Sequence, residues 1–156
     1  MRVWEGSMRF ALVPLAALSL TACAPDSATV EAEVQQLVRS YLTSTDIAAS
    51  LDMLDPGPSV TSITGQGRIV RGRDMIRDEA SKQIVLLPQL KVTVGKVEVT
   101  RVGSTHALAI ATFSVAPSSK PQAPTTQGAG SLLLAKRDSG WKVVHEHYSY
   151  SAARRP

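Results

Sequence analysis

Apolar residues recur with helical spacing in three segments of the chain. The first segment has the i, i+4, i+7 and i+8 spacing of one helical face, which predicts an amphipathic helix. Asp46 can cap a second, shorter helix, which the prolines of 55–58 must end. A third helix is predicted from Asp74 to about Val85, before Pro88. The apolar face of the first helix is formed by Val30, Val34, Leu37, Val38, Tyr41 and Leu42.

Alternating and β-branched segments predict strands elsewhere. Two short strands are expected around a turn at 65–67, and four longer strands joined by hairpins follow Pro88. The alternation of the first long strand changes parity at Gly95 and Lys96, which predicts a β-bulge. Residues 105–115 are apolar or small at both even and odd positions, which indicates a central strand covered on both faces. The predicted fold is α+β, with a curved antiparallel sheet wrapped around N-terminal helices.

Composition narrows the class of protein. The chain has 156 residues, 44% of them hydrophobic, and a net charge of +4. These values favour one folded domain over a multidomain enzyme or a disordered chain. A single cysteine excludes a disulfide framework, and the small charge excess with few aromatic residues argues against a nucleic-acid partner. Because the chain has no phosphate-cradling glycine loop and no dinucleotide fingerprint, no cofactor is expected.

The N-terminal segment has the layout of an export signal. Arg9 precedes an apolar run from Phe10 to Leu20, and small residues follow it. The run is shorter than the roughly 20 residues that a membrane-spanning helix needs. Leu20-Thr21-Ala22-Cys23 resembles the lipobox of bacterial lipoproteins. The resemblance implies cleavage before Cys23 and a diacylglyceryl group, with palmitate-type chains, on its thiol.

These features divide the chain into four segments. Residues 1–22 are the expected signal peptide and 23–28 the lipidated cysteine with a short tether. Residues 29–151 form the domain, and 152–156 are a basic tail. The protein is then expected in the cell envelope, held to a membrane by its lipid anchor and facing the periplasm or the outside. By the same resemblance, Ala24 after the cysteine favours the outer membrane where the cell has one.

Two motifs carry a resemblance to a domain family. They are the helix start Gly72-Arg73-Asp74-Met75-Ile76 and the strand ending Gly140-Trp141-Lys142-Val143-Val144-His145-Glu146-His147-Tyr148-Ser149. Both resemble motifs of SnoaL-like domains in the nuclear transport factor 2-like superfamily, over about residues 29–151. The resemblance implies a cone, often dimeric, in which a bent sheet wraps the helices and leaves a pocket at the wide end. Because the superfamily contains isomerases, dehydratases, polyketide cyclases and non-enzymatic binding domains, the fold alone fixes no activity.

The final strand supplies the first candidate site residues. Strict alternation places His145 and His147 on one face with Trp141. Because Lys142 and Glu146 lie on the other face, the histidine face is expected to point inward. Two histidines about 6.5 Å apart at their Cα atoms permit a shared ligand, a proton relay or two metal bonds. They are alternatively a hydrogen-bonded pair lining a cavity or a subunit interface. A metal would need a third ligand, so no metal site is predicted.

Two further candidates for ligand binding lie outside the final strand. Tyr41 can aim its hydroxyl into the cone as a donor to a bound carbonyl, or it can pack on the helix face. Arg68 lies close in sequence to Arg71, Arg73 and Arg77. Such a group can meet an anionic ligand or lipid head groups, and it can equally form a solvated face.

The leading hypothesis is a lipid-anchored, homodimeric binding or accessory domain whose pocket holds a small apolar ligand. An enzyme is disfavoured because the strands of 105–115 and 128–135 hold no Asp or Glu, whereas isomerases of this type place carboxylates in the cone. One alternative is an isomerase, dehydratase or cyclase that uses His145 or His147 as general base. The other is a structural protein of envelope assembly. No catalytic residue is assigned from the sequence.

Overall fold

Three helices form as their sequences predict. The computed structural model describes residues 27–83, 89–119 and 125–151, so the predicted signal peptide, Cys23 and the basic tail lie outside the described residues. Helix α1 spans Ser27–Thr43, α2 spans Ile47–Met53 and α3 spans Arg73–Gln83. The Asp46 carboxylate caps α2 by accepting from the backbone N–H of Ala48 at 2.8 Å, which confirms the predicted cap. None of the described helices has the length and apolar character needed to cross a bilayer.

Six strands form one sheet. In chain order they are β1 (Thr61–Ile63), β2 (Ile69–Arg71), β3 (Leu90–Val102), β4 (His106–Pro117), β5 (Thr126–Arg137) and β6 (Gly140–Tyr150). Their order across the sheet is β2-β1-β6-β5-β4-β3. All neighbours are antiparallel except β1 and β6, which run parallel. The α+β prediction is therefore confirmed.

One face of the sheet is covered by the helices. The apolar face of α1 is buried through Val30, Val34 and Val38, which pack in one core cluster with the inner residues of the sheet. On the sheet side, Leu132 and Val143 are fully buried. Burial of each such side chain contributes roughly 1.5 to 3 kcal/mol. The core therefore lies between the helical layer and the concave face of the sheet.

Strand β3 contains the predicted bulge. Val94 pairs with Phe113 and Val97 with Ala111, so two residues of β3 face the single Thr112 of β4. The Thr112 hydroxyl accepts a hydrogen bond from the Lys96 N–H at 3.2 Å, which satisfies a donor that the bulge displaces from the ladder. The change of parity in the sequence therefore located the bulge correctly.

The prediction for β4 is wrong in one respect. The strand is central, since it pairs with β3 and β5, but its burial alternates along its length. Ala107, Ala109 and Ala111 are buried, whereas Ile110 is 48% exposed. The described helices cover only the concave face, and none of the described elements packs over the outer face of β4. Its small and apolar residues fit either environment.

Candidate functional site

A second β-bulge, which the sequence analysis did not predict, determines the composition of the site. Leu133 of β5 pairs with His145 of β6, and the next residue, Leu134, pairs with Val143. Val144 is therefore an extra residue on β6. Beyond it, the residues that face inward are the even-numbered ones instead of the odd-numbered ones. Before the bulge, Trp141 and Val143 face the core, as predicted. After it, residues of even number face inward.

The bulge turns three side chains toward the interior. Glu146 is buried with 4% of its surface exposed, and Tyr148 and Tyr150 follow it on the same face. Ser62 of β1 pairs with Glu146 and is buried beside it. A carboxylate that simple alternation placed on the solvent face therefore lies inside the fold.

The same bulge places both histidines on the opposite face, so the prediction that they point inward is wrong. His147 is exposed, and His145 is partly buried with its Nδ1 2.6 Å from the Thr61 hydroxyl oxygen, with which it shares a hydrogen bond. Both side chains lie on the convex side of the sheet. His145 is therefore a hydrogen-bonded residue of the outer face, and neither histidine lines the Glu146 cavity.

A cavity of about 230 Å³ opens on the inner face of β6. Its walls come from β1 and the turn after it, from α3 and from β6. The polar lining residues are hydroxyl, amide and carboxylate groups, and Val70, Ile76 and Ala80 supply an apolar part. The polar lining consists of Ser62, Thr64, Gln66, Glu79, Glu146, Tyr148 and Tyr150.

Glu146 is at the centre of a group of tyrosines. Its Oε2 accepts a hydrogen bond of 2.8 Å from the Tyr148 hydroxyl. Tyr41 of α1 reaches the same carboxylate, and burial, together with the charge of Glu146 and hydrogen bonding to it, raises the pKa of Tyr41 well above its ordinary value. Burial, reinforced by the same charge, likewise raises the pKa of Tyr148 well above its ordinary value. Both hydroxyls therefore stay protonated at neutral pH and remain hydrogen-bond donors.

A second carboxylate lines the cavity from α3. Glu79 pairs with Arg68 and with Lys82, whose Nζ lies 3.4 Å from Glu79 Oε2. The hydrogen bond from Arg68 lowers the pKa of Glu79, against a smaller rise from partial burial. Glu146 has neutral hydroxyl partners, whereas Glu79 has cationic ones. The two carboxylates therefore occupy electrostatically different walls of one cavity.

Tyr41 and Arg68 lie near the cavity in different ways. Tyr41 is partly buried and interacts with Glu146, so its hydroxyl has the interior position that the sequence analysis allowed. Arg68 is exposed and reaches the cavity only through its ion pair with Glu79. Its neighbours Arg73 and Arg77 pair with acidic residues elsewhere on the surface. Arg68 and Arg71 line one surface pocket that also holds Asp78 and Glu79, so the four arginines do not converge on one site.

Trp141, also predicted to bind ligand, lies away from the Glu146 cavity. The ring is 7% exposed in the core, and its Nε1 donates to Glu33 of α1 at 3.1 Å. The Lys136 ammonium lies 5.4 Å from the ring centre and also pairs with Glu33. The indole therefore joins α1 to the start of β6 and does not line the Glu146 cavity.

Glu146, Tyr148 and Tyr150 are not among the residues predicted for the site. The signal for them was present as a row of one carboxylate and two phenols at i, i+2 and i+4, which one face of a strand presents together. The strands of 105–115 and 128–135 hold no Asp or Glu, but the cavity receives a carboxylate from β6 instead, which weakens that argument against an enzyme. Among the described residues, no three His, Cys, Asp or Glu side chains come together as a metal site.

Comparison with solved structures identifies the fold. A nuclear transport factor 2-like superfamily protein from Salmonella enterica superposes with a TM-score of 0.64 at 23% identity, covering 83% of this chain and 96% of that one. A nuclear transport factor 2-like protein of unknown function from Pseudomonas putida gives 0.68 at 16% identity over 79% and 87%. An uncharacterised protein with a cystatin-like fold from Caulobacter vibrioides gives 0.65 at 20% identity over 78% and 89%. At these identities the likeness establishes the fold alone.

Comparison of sequences identifies the family. A search of curated proteins found no significant match. The profile of the SnoaL-like domain matches residues 30–153, which include every described strand and helix except the first three residues of α1. The chain therefore belongs to the SnoaL-like domain family.

Proposed function

We propose that the chain is a lipid-anchored, extracytoplasmic domain that binds a small molecule in the Glu146 cavity. The observation that carries the proposal is the buried Glu146 carboxylate on the wall of an open cavity. Burying a carboxylate is unfavourable unless its acceptor capacity is used. The Tyr148 hydroxyl uses part of it, and a ligand with a donor group would use the remainder.

The dimensions and lining of the cavity limit the size and the chemistry of the ligand. An apolar cavity of about 150 Å³ holds benzene, so 230 Å³ has room for roughly nine non-hydrogen atoms. Two carboxylates line the cavity, and none of its described lining residues is Lys or Arg. The ligand is therefore a single-ring or short-chain compound with a hydrogen-bond donor or a positive charge. This refines the purely apolar ligand expected from the sequence.

The proposed location rests on the N-terminal sequence. Leu20-Thr21-Ala22-Cys23 supports lipidation of Cys23 and export of the domain, and Ala24 supports outer-membrane sorting in a cell that has that membrane. A mass spectrum of the mature N-terminus tests this part. The expected mass carries a diacylglyceryl group on Cys23, and an unmodified cysteine would overturn the anchor without affecting the cavity.

A binding screen tests the cavity. The probes are single-ring phenols, anilines and benzylamines of about nine non-hydrogen atoms, matched to the cavity by volume. Glu146→Gln keeps the shape of the side chain and removes its charge, so binding is expected to weaken about tenfold. Glu98→Gln is the matched control, since Glu98 is exposed on β3 and does not line the cavity. Equal affinity of the Glu146→Gln variant, or no binding by any probe, would contradict the proposal.

A second candidate function is proton transfer by an isomerase-type or dehydratase-type enzyme. The observation that favours it is the Glu146 carboxylate next to Tyr41 and Tyr148, two hydroxyls that stay protonated. Glu146 would take a proton from a carbon beside a carbonyl, and Tyr148, which lines the cavity, would donate a hydrogen bond to the enolate oxygen. Glu146 replaces His145 and His147 as the proposed base, because the histidines lie on the outer face.

Exchange of carbon-bound hydrogen in heavy water separates this enzyme from a binding domain. Small cyclic ketones that bind are followed by NMR for loss of the proton next to the carbonyl. An enzyme is expected to accelerate the exchange, and Glu146→Gln to slow it about a hundredfold or more. Tyr148→Phe is expected to slow exchange with little change in affinity. If ketones bind without exchange of the proton next to the carbonyl, this reaction is excluded and the binding function is still supported.

We further propose that the domain is a homodimer through the convex face of the sheet. Ile110 is 48% exposed there, and Leu108 and Leu133 lie beside it on the same face. Sedimentation equilibrium is expected to show a dimer that Ile110→Asp converts to a monomer. A monomeric wild-type protein would contradict the proposal, and it would also count against a purely structural role in envelope assembly.

A further inference from the structure

Helix α1 begins at the end of the domain where the β5–β6 hairpin lies. Glu33, in its second turn, contacts Lys136 and Trp141 on either side of that hairpin. Tyr41, near its other end, interacts with Glu146. The helix therefore runs from the hairpin toward the cavity. Ser27 is six residues before Glu33, about 9 Å farther along the axis in the direction of the hairpin.

The tether between Cys23 and α1 is short. Cys23 precedes Ser27 by four residues, which span at most about 14 Å when fully extended. A lipid on the Cys23 sulfur would keep the first turn of α1 within that distance of the membrane surface. The end of the domain with the β5–β6 hairpin is therefore the end that the tether holds against the bilayer.

The surface at this end has the chemistry to meet anionic headgroups. A groove of about 670 Å³ lies between α2, the start of α3 and the β5–β6 hairpin. Four cationic and two acidic side chains line it, and Glu33 and Asp55 pair with Lys136 and Arg137 from beside it. The Lys142 ammonium donates to a backbone carbonyl, that of Asp52, so it is the cation best placed to meet an anionic headgroup. Val102, 49% exposed, lies at the neighbouring β3–β4 turn. The charged lining residues are Arg73, Lys136, Arg137, Lys142, Asp52 and Asp138.

The Glu146 cavity lies toward the other end of the sheet. Along β6, Tyr148 is eight residues beyond Gly140, which corresponds to about 26 Å of strand. The turn with Gly65 and Gln66, which forms part of the cavity wall, lies at the same end as Tyr148. Cavity and tether are therefore at opposite ends of the long axis.

We infer that the anchored domain stands with its Lys136–Lys142 hairpin end on anionic lipid headgroups and opens its cavity away from the bilayer. This inference rests on the proposed lipidation of Cys23. A cavity held away from the membrane takes its ligand from the aqueous compartment. The ligand is then a water-soluble compound, in agreement with the polar lining of the cavity.

Energy transfer to the bilayer tests the orientation. The full-length lipidated protein is placed in phosphatidylglycerol–phosphatidylethanolamine vesicles that carry an acceptor dye on a fraction of the headgroups. Because the thioether blocks Cys23, a single new cysteine takes the donor dye, either at Ser139→Cys in the hairpin or at Gln66→Cys beside the cavity. Both positions are exposed. Transfer from residue 139 is expected to exceed that from residue 66 by about twofold or more, given a separation of some 26 Å.

Each outcome bears on a different part of the inference. Equal transfer from the two positions, or greater transfer from residue 66, would overturn the orientation while leaving the anchor intact. A mass spectrum without lipid on Cys23 would overturn the anchor and the orientation together, and would leave ligand binding in the Glu146 cavity unaffected. The result of the binding screen therefore does not depend on the orientation of the domain at the membrane.

The lipid charge is tested with a matched pair of variants. Lys142→Gln removes a cation of the hairpin end, and Lys91→Gln removes an exposed cation of β3 that lies outside the groove. Transfer from residue 139 is expected to fall with Lys142→Gln and to stay unchanged with Lys91→Gln. Phosphatidylcholine vesicles are expected to remove the difference between the variants. If phosphatidylcholine and phosphatidylglycerol vesicles give equal transfer, the contact with anionic headgroups is overturned.

Discussion

The Tyr148 hydroxyl donates a 2.8 Å hydrogen bond to Oε2 of Glu146, two residues earlier on the same face of β6. Neighbours at i and i+2 on a strand lie side by side, so the strand itself positions the phenol against the carboxylate. Tyr41 approaches the same group from α1. Helix and sheet therefore meet at one charged group in the cavity wall, and the properties of the cavity depend on that charge.

Titration of the tyrosines should report the charge of Glu146 directly. The chain has three tyrosines, and burial followed by the charge of Glu146 raises the pKa of Tyr41, Tyr148 and Tyr150. Glu146→Gln removes the charge and leaves the burial, so the tyrosinate absorbance is expected to rise at lower pH than in the wild type and still above the ordinary value. Glu98→Gln is the control. An unchanged titration in the Glu146→Gln variant would show that the carboxylate does not act on the phenols.

The same tyrosines should make the fold sensitive to alkali. Their pKa values are higher in the folded than in the unfolded chain, so the folded state holds its phenol protons to higher pH. This contribution to stability is fully present below about pH 10 and is lost as the pH rises through the folded-state pKa. The free energy of unfolding in urea is therefore expected to fall above about pH 10. The Tyr148→Phe variant should show a shallower fall, and an equally steep one would contradict the assignment.

The parts of the fold that can be predicted from the sequence are those marked by a regular spacing of residues or by a break in it. The face of α1, the Asp46 cap and the bulge at Gly95 and Lys96 follow from spacing, since each leaves a break or a period that can be read. The bulge at Val144 leaves no such break, because Val143 and Val144 are both apolar and alternation continues on either side.

The bulge at Val144 explains why the histidines were predicted to face inward and Glu146 outward. The rule that charged side chains face solvent placed Glu146 outside, and it holds only where no partner compensates for burial. The partners of Glu146 are Tyr148 and Tyr41, and the second comes from more than 100 residues away in sequence. Contacts of that kind arise from packing and have no local pattern.

The Asp55 and Arg137 pair is expected to control stability in acid. Asp55 is 6% exposed, and its carboxylate accepts from the Gly57 N–H at 2.8 Å and from Arg137 Nε at 2.6 Å. Burial acts to raise the pKa of Asp55, but these bonds outweigh it and the pKa is lowered. The stabilisation is thus present above about pH 4 and is lost as the pH falls through the folded-state pKa.

Asp55→Asn tests this relationship. The variant is expected to lower the free energy of unfolding by about 2 kcal/mol at neutral pH and to differ less from the wild type near about pH 3. Asp78→Asn is the control, because Asp78 forms an exposed pair with Arg77 and should cost about 0.5 kcal/mol or less. Urea unfolding across this pH range measures both. A cost for Asp55→Asn that does not change with pH would assign the effect to packing instead of charge.

A methyl group at Gly65 should alter the cavity without unfolding the domain. A Cβ atom there would overlap the ring of Tyr150, which lines the cavity and is 47% exposed. Because the ring can swing into solvent, Gly65→Ala is expected to have little effect on the urea midpoint. The pKa of Tyr150 should fall toward its ordinary value, since partial burial is the larger cause of its rise.

Gly67→Ala gives the opposite pattern and serves as the control for Gly65→Ala. Gly67 has φ of 78° with open space around its Cα, so a side chain there strains the backbone and touches nothing. The variant is expected to lose about 1 kcal/mol of stability while all three tyrosines titrate as in the wild type. Probes that bind the cavity should weaken with Gly65→Ala and be unaffected by Gly67→Ala. If the two variants weakened binding equally, the effect would come from the turn as a whole, and Tyr150 would not be a wall of the binding site.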